Sequence, residues 1–268
     1  MRNLLFAVCI ATVACNPSGK GETAAPAPAA SPAISDTVET GAGAIPSPSV
    51  TTPIEPAPKS KTGYVASENR LYPIDEASKD PTLIAFRNRL LADVRNHDEA
   101  AVLQIVDPKI RVSFGDDNGV QAFTKQWKLD QKDSPFWTVM ERILTLGGSF
   151  QKQPDSPRRF VAPYIYSDWP ESVDAFEYLA VVGSDVAMRS SATVSSPSIA
   201  TLDHDLVMIA SDDPVRNGKR GTSWRKVVTA DKKTGWVAAD DLYSPVGYRA
   251  FFEKTPDGWV LSTLVAGD

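Results

Sequence analysis

Val186-Ala187-Met188-Arg189, Ile199-Ala200-Thr201-Leu202, Leu206-Val207-Met208-Ile209, Trp224-Arg225-Lys226-Val227, Thr234-Gly235-Trp236-Val237 and Asp241-Leu242-Tyr243 follow one another between residues 184 and 245. Each block is too short for a helix, and Gly, Pro, Ser and Asp separate them, so the segment reads as a run of short strands and turns. The period of two extends outward from Phe150 to the end of the chain. Trp224 and Trp236 fall on neighbouring strands, where large flat side chains fill a small barrel. Gly235, directly before Trp236, suits a strand approached closely by another backbone.

Upstream the spacing is helical. Asp80-Pro81 is a capping residue followed by a first-turn proline, and Leu83, Phe86, Leu90 and Val94 then share one face. Asp98 caps a second short helix with Val102, Leu103 and Val106 inward, which Pro108 stops. Ile110 to Phe114 alternates as a strand, Gly115 to Gly119 turns the chain, and two more helices follow at Val120 to Leu129 and Pro135 to Leu146, the latter ended by Gly147-Gly148. Phe136, Trp137, Met140, Ile143 and Leu144 read as core. Downstream, Tyr248 to Lys254 and Trp259 to Val265 flank Asp257-Gly258, a strong hairpin signal. A lone two-stranded ribbon is marginal in water, so the hairpin is expected to join strands at 110–114, 159–166 and 176–183.

In their order, the six blocks at 184–245 resemble a bacterial SH3-like (SH3b) domain, with Met188 where that family has a small residue and a long loop at 211–223. The closing hairpin resembles those of cystatin-like and nuclear-transport-factor-like sheets. Together these imply an α+β fold: a discontinuous helix-rich α+β domain, 80–183 plus 246–268, with an all-β SH3-like barrel inserted at 184–245.

Met1-Arg2-Asn3, an apolar run from Leu4 to Ala14, and Cys15 form the pattern of an export signal. The run is about half the length needed to span a bilayer core of ~30 Å. Thr12-Val13-Ala14-Cys15 resembles the lipobox of bacterial lipoproteins, although Thr12 departs from the usual Leu. Residues 1–15 thus read as a signal peptide with lipobox; the resemblance implies that the segment ahead of Cys15 is removed and that Cys15 becomes the new N-terminus and carries the lipid, and Asn16 behind it implies the outer membrane. A soluble periplasmic product is the alternative. Residues 16–62 form a Pro-, Ala- and Ser-rich tether: 16–60 hold nine of the chain's 21 prolines and no aromatic residue, a composition that builds no core. The whole resembles exported bacterial lipoproteins that carry an SH3b domain.

Composition narrows the chemistry. No cysteine follows Cys15, so thiol nucleophiles and disulfides are excluded from the folded part, and two histidines, His97 and His204, are too few for a His-rich metal centre. A net charge of −5 argues against nucleic acid. Gly-x-Ser-x-Gly and phosphate-binding glycine loops are lacking, and no cofactor is expected. Asp116 and Asp117 read as turn formers, and His204, between Asp203 and Asp205, as a solvated turn residue. Arg216, Lys219 and Arg220 precede Trp224-Arg225-Lys226, a local basic cluster in an acidic chain that reads as a solvated loop or, alternatively, as attracting an anionic wall polymer or lipid surface.

The expectation is a non-enzymatic envelope protein whose SH3-like groove, lined by Trp224, Trp236, Tyr243 and Arg189, binds a peptidoglycan peptide or another envelope protein. Tyr164, Tyr166 and Trp169 lie in an aromatic stretch between Pro163 and Pro170 and are further candidates. In the alternative, the barrel is structural and the α+β part binds a small ligand or acts as an assembly partner. A wall hydrolase built on paired carboxylates is a third, weaker reading.

Overall fold

The structure, a computed structural model, describes residues 61–151, 158–211, 214–216 and 221–267. The readings made above for residues 1–60 (the export signal, Cys15 and most of the tether) lie outside the described residues, as do Lys219 and Arg220. The described residues belong to one compact unit.

It begins before the first helix, with a ribbon of β1 (Gly63–Val65) and β2 (Arg70–Tyr72) that the sequence pattern did not reveal. Then α1 (Pro81–Arg95) starts where its capping signal stands. The Asp80 side chain accepts from Thr82 N, Pro81 occupies the first turn, and Leu83, Phe86, Leu90 and Val94 are buried. Next come α2 (Glu99–Gln104), capped by Asp98, and β3 (Val106–Arg111). Pro108 therefore lies inside the strand instead of stopping a helix ahead of it, and Phe114 falls beyond the strand's end. A proline is tolerated there because β3 is the sheet's edge and pairs on one side only.

After α3 (Val120–Trp127) and α4 (Pro135–Thr145) the chain enters β4 (Ser149–Phe150) and β5 (Arg159–Ala162). The stretch expected as strand to residue 166 turns instead into α5 (Tyr164–Ser167), a single helical turn. Gly148 is obligatory in this neighbourhood: a Cβ there would sit 2.0 Å from the Val161 carbonyl oxygen.

Eight strands follow before the chain returns to the first sheet. They are β6 (Tyr178–Val181), β7 (Val186–Arg189), β8 (Ser198–Leu202), β9 (Leu206–Ile209), β10 (Val215–Arg216), β11 (Ser223–Val228), β12 (Thr234–Ala238) and β13 (Leu242–Tyr243). All eight belong to one sheet, ordered β13-β6-β9-β11-β12-β7-β8 with β10 against β11. The segment 176–183, expected in the α+β sheet, is thus corrected to this second sheet, whose boundary moves from 184 back to 178. The reason is pairing: β6 bonds to β9 through Leu179↔Val207 and to β13 through Leu242↔Val181. Leu179, Val181, Met188, Val207, Val227 and Val237 bury the inner face.

β14 (Arg249–Thr255) and β15 (Gly258–Val265) close the chain as a hairpin around Asp257-Gly258. The hairpin joins a larger sheet, as expected, in the order β3-β15-β14-β5-β4. The helices cover one face of that sheet, and Leu83, Phe86, Phe123, Trp127, Phe136, Met140, Phe252 and Leu261 share its core. A third cluster, with Leu71, Tyr164, Ile165, Ala180 and Leu206, joins β2 and α5 to the second sheet. On α4, Arg142 Nη2 donates to the carbonyls of Asp240 (2.8 Å) and Leu242 (2.6 Å) while its guanidinium lies 5.1 Å over the Tyr243 ring.

Asp80 also joins the helices to the hairpin. Its carboxylate, 5 % exposed, takes hydrogen bonds from Thr82 and from Lys254 Nζ (2.9 Å). The Thr82 hydroxyl and then Lys254 hold its carboxyl well below the usual carboxylate range. A depressed folded pKa contributes stability above the unfolded value of about 3.9, and this is lost as pH falls below it. Asp80→Asn is therefore expected to lower urea stability at pH 7, with a gap to wild type that narrows below about pH 4; urea titrations at pH 7 and pH 3 check this. Gly148→Ala is expected to cost about 1–3 kcal/mol, the usual range for overpacking, read as a lower Tm.

Candidate binding face

The register of β7, β11 and β12 decides which side chains the second sheet presents. Trp236 stands opposite Lys226 on one neighbouring strand and Arg189 on the other. Directly opposed residues share a face, with Cβ atoms about 4.5–5.5 Å apart. Val227, Val237 and Met188 alternate with them and point into the buried cluster. The outer face therefore carries a cross-strand row, Arg189–Trp236–Lys226, with a half-buried indole between two cations. The Arg189 guanidinium is steadied by donating from Nη1 to the Ser196 carbonyl at 2.7 Å.

Gly235 makes this row possible. A Cβ there would lie 2.7 Å from Met188 Cγ and 2.9 Å from the Arg189 carbonyl oxygen, so β12 and β7 approach more closely than a side chain allows. The same face continues as a second row, Tyr178–Met208–Val228, set by the pairs Tyr178↔Met208 and Val228↔Met208. That row opens on a cleft of about 240 Å³, which Asn69 and Lys232 also line. Sequence reasoning placed Lys226 in a basic cluster but missed Tyr178, Met208 and Val228 as members of this surface. Their alternation with apolar neighbours was visible, but the pairing that sets them beside Trp236 was not.

The other sequence candidates lie elsewhere. Trp224 shares the face of Trp236 but is only 2 % exposed, and its indole N–H is buried without a partner, so it does not line an open groove. Tyr243 is held under Arg142, and its hydroxyl donates to the Tyr248 carbonyl; burial pushes its pKa up. Tyr164 is 1 % exposed in the cluster between β2 and the second sheet, its hydroxyl is unpartnered, and burial pushes it up to about 12. Trp169 is half-buried and donates its indole N–H to the Val173 carbonyl at 2.8 Å. Tyr166 is half-buried beneath the Arg249 guanidinium, 4.4 Å away. Of the seven candidates, Trp236 and Arg189 are set side by side on the partly open part of a face, whereas Tyr164, Trp169 and Tyr243 pack about one buried cluster.

His204, expected as a solvated turn residue, is corrected. Its ring packs against Tyr72 at 5.4 Å, its side chain is 15 % exposed, and burial lowers its pKa against the raising effect of Asp203. The cause is the β1–β2 ribbon: Leu71 N donates to the His204 carbonyl, and Arg70 reaches Asp203 and Asp205.

Larger clefts occur on the α+β part. One of about 560 Å³ lies between α1 and the tip of the closing hairpin, lined by Pro81, Ala85, Phe86, Lys254 and Trp259 among others. Another of about 440 Å³ lies between β4 and α5, at Glu76, Ser149, Tyr166 and Asp168; the Asp168 carboxylate there accepts from the Ser149 and Ser167 hydroxyls, each at 2.7 Å. Among the described residues, no group of three or more His, Cys, Asp or Glu could hold a metal ion, and no helix is long and apolar enough to cross a membrane. No family model, curated protein or solved structure matches the chain.

The two tryptophans should separate by stability. Trp224→Ala removes a buried side chain and is expected to cost about 3–5 kcal/mol, whereas Trp236→Ala, at a half-exposed position, should cost much less. Urea denaturation of both variants checks the difference.

Proposed function

We propose that this protein is a non-enzymatic lipoprotein of the cell envelope, anchored through Cys15 and extended on its Pro-rich tether, whose SH3-like second sheet binds carboxylate-bearing peptides of the cell wall. The observation that carries this reading is the register placing Trp236 between Lys226 and Arg189 on an outward face. A flat indole supplies contact area at low entropic cost, and two flanking cations select an acidic partner on a chain whose own net charge is −5. The adjoining Tyr178–Met208–Val228 row lengthens the surface in the direction an extended peptide would follow. Binding to it would weaken as salt rises, because exposed cations are screened.

In the second reading the ligand site is the cleft of about 560 Å³ between α1 and the closing hairpin. The two separate on one variant. Full-length protein is expected to co-sediment with purified peptidoglycan, and Trp236→Ala to lower affinity about thirtyfold, the loss of roughly 2 kcal/mol typical of a central aromatic contact. Equal sedimentation of wild type and Trp236→Ala, both at background, would overturn the binding reading. Unchanged binding in Trp236→Ala but loss in Phe86→Ala would favour the cleft.

A further inference from the structure

Arg249 is the least exposed charged side chain of the first sheet's outer face, with 5 % of its surface accessible. It leaves β14 on the face opposite the helices, since Tyr248 and Ala250 on either side pack in or against the helix-covered core. Its guanidinium lies 4.4 Å from the Tyr166 ring and 5.6 Å from the Phe114 ring. Nη1 donates to the Gly267 carbonyl at 2.6 Å, while the Nε–H is buried and has no partner. No carboxylate of the described residues lies within 4 Å of it.

Buried arginines are ordinarily paired, because an uncompensated interior charge costs several kcal/mol. Two aromatic faces offset part of that cost but neutralise nothing. The neighbouring acids are committed elsewhere: Glu253 pairs with Arg159, and Asp168 accepts from Ser149 and Ser167. A second cation stands close by, for the Arg111 guanidinium lies 5.5 Å over the same Phe114 ring and, among the described residues, donates to the Ser113 carbonyl alone, at 3.2 Å. Phe114 is itself 47 % exposed, an unusual fraction for a phenylalanine holding two guanidinium groups.

We infer that Arg249 is an oxyanion-binding site, which takes the carboxylate or phosphate of a small ligand on the guanidinium edge that carries Nε. With Nη1 turned to Gly267, the remaining edge presents the side-on fork that carboxylates and phosphates engage with two parallel hydrogen bonds. Phe114, whose ring lies 5.6 Å from the guanidinium and is half in solvent, gives the ligand's body an apolar surface. Arg111 adds positive potential on the approach. The site is separate from the Trp236 face and stands whether or not that face binds wall peptides.

The test is the thermal stability of the full-length protein against added inorganic phosphate and, separately, acetate, at ionic strength held constant with sodium chloride. A saturable rise of about 3–6 °C at ten times the dissociation constant is expected for at least one anion. Response to acetate alone assigns a carboxylate, and to phosphate alone a phosphoryl group. Arg249→Lys, which keeps the charge but loses the fork, should shift the half-point at least tenfold upward. Should that variant fold poorly, Phe114→Ala at the exposed side should weaken the response without lowering the starting Tm by more than a few degrees. A flat response of wild type to both anions overturns the inference. So does a Tm that falls in Asp268→Asn while added anion has no effect, since the buried charge would then be neutralised by the chain's own next residue.

Discussion

Two of the three inner strands of the first sheet, β14 and β15, are the last two in the chain. β15 separates β3 from β14, and β14 separates β15 from β5, so nothing upstream of Arg249 can complete this sheet. The helices are in the same position, because Phe252, Trp259, Leu261 and Leu264 of the closing hairpin belong to the core on which they pack. The architecture therefore depends on returning residues 249–265 to a site vacated before residue 178. The second sheet solves this by pairing its own first and last strands, with Leu242 opposite Val181 and Tyr243 opposite Ala180. Its entry and exit are neighbours, so the inserted residues close a loop whose ends are already together, and the entropic cost of that closure is met within the second sheet.

The arginines show how one side chain serves different ends according to its surroundings. Arg142 spends its donors on the backbone of Asp240 and Leu242 and its flat face on Tyr243, which fastens α4 to β13. Arg70 spreads over Asp203 and Asp205 and ties the first ribbon to the second sheet. Arg159 pairs with Glu253 across neighbouring strands. Against these, Arg249 is buried between rings with no acid of the described residues in reach, and Lys226 and Arg189 flank an indole on a partly open face. The first three cations are held by acids or carbonyls of the fold, whereas Arg249 and the Trp236 row are the two places where we propose binding.

The helices were legible because their signals are local. Asp80 and Asp98 cap the helices that follow them, and the spacing of Leu83, Phe86, Leu90 and Val94 names the buried face before any partner is known. The Asp257-Gly258 turn likewise specifies its hairpin within a few residues, and Gly235 flagged a close strand approach. Strand ends were less legible. Pro108 reads as a helix stop, yet sits in β3 because an edge strand leaves its missing N–H without consequence.

What the sequence by itself determined is the order of helical and strand periods, the caps, the closing turn and a folded part free of cysteine, since each follows from a few neighbouring residues. Which strands pair was a tertiary matter. Tyr178–Val181 alternates equally well for either sheet, and only its bonding to β9 and β13 placed it in the second. The same holds for the aromatics: Trp224 and Trp236 look alike in sequence, but register and covering segments bury the first and leave the second half-open between two cations. A side chain's exposure is fixed by residues far away in the chain, and strand pairing between distant segments leaves no periodic trace in either partner alone.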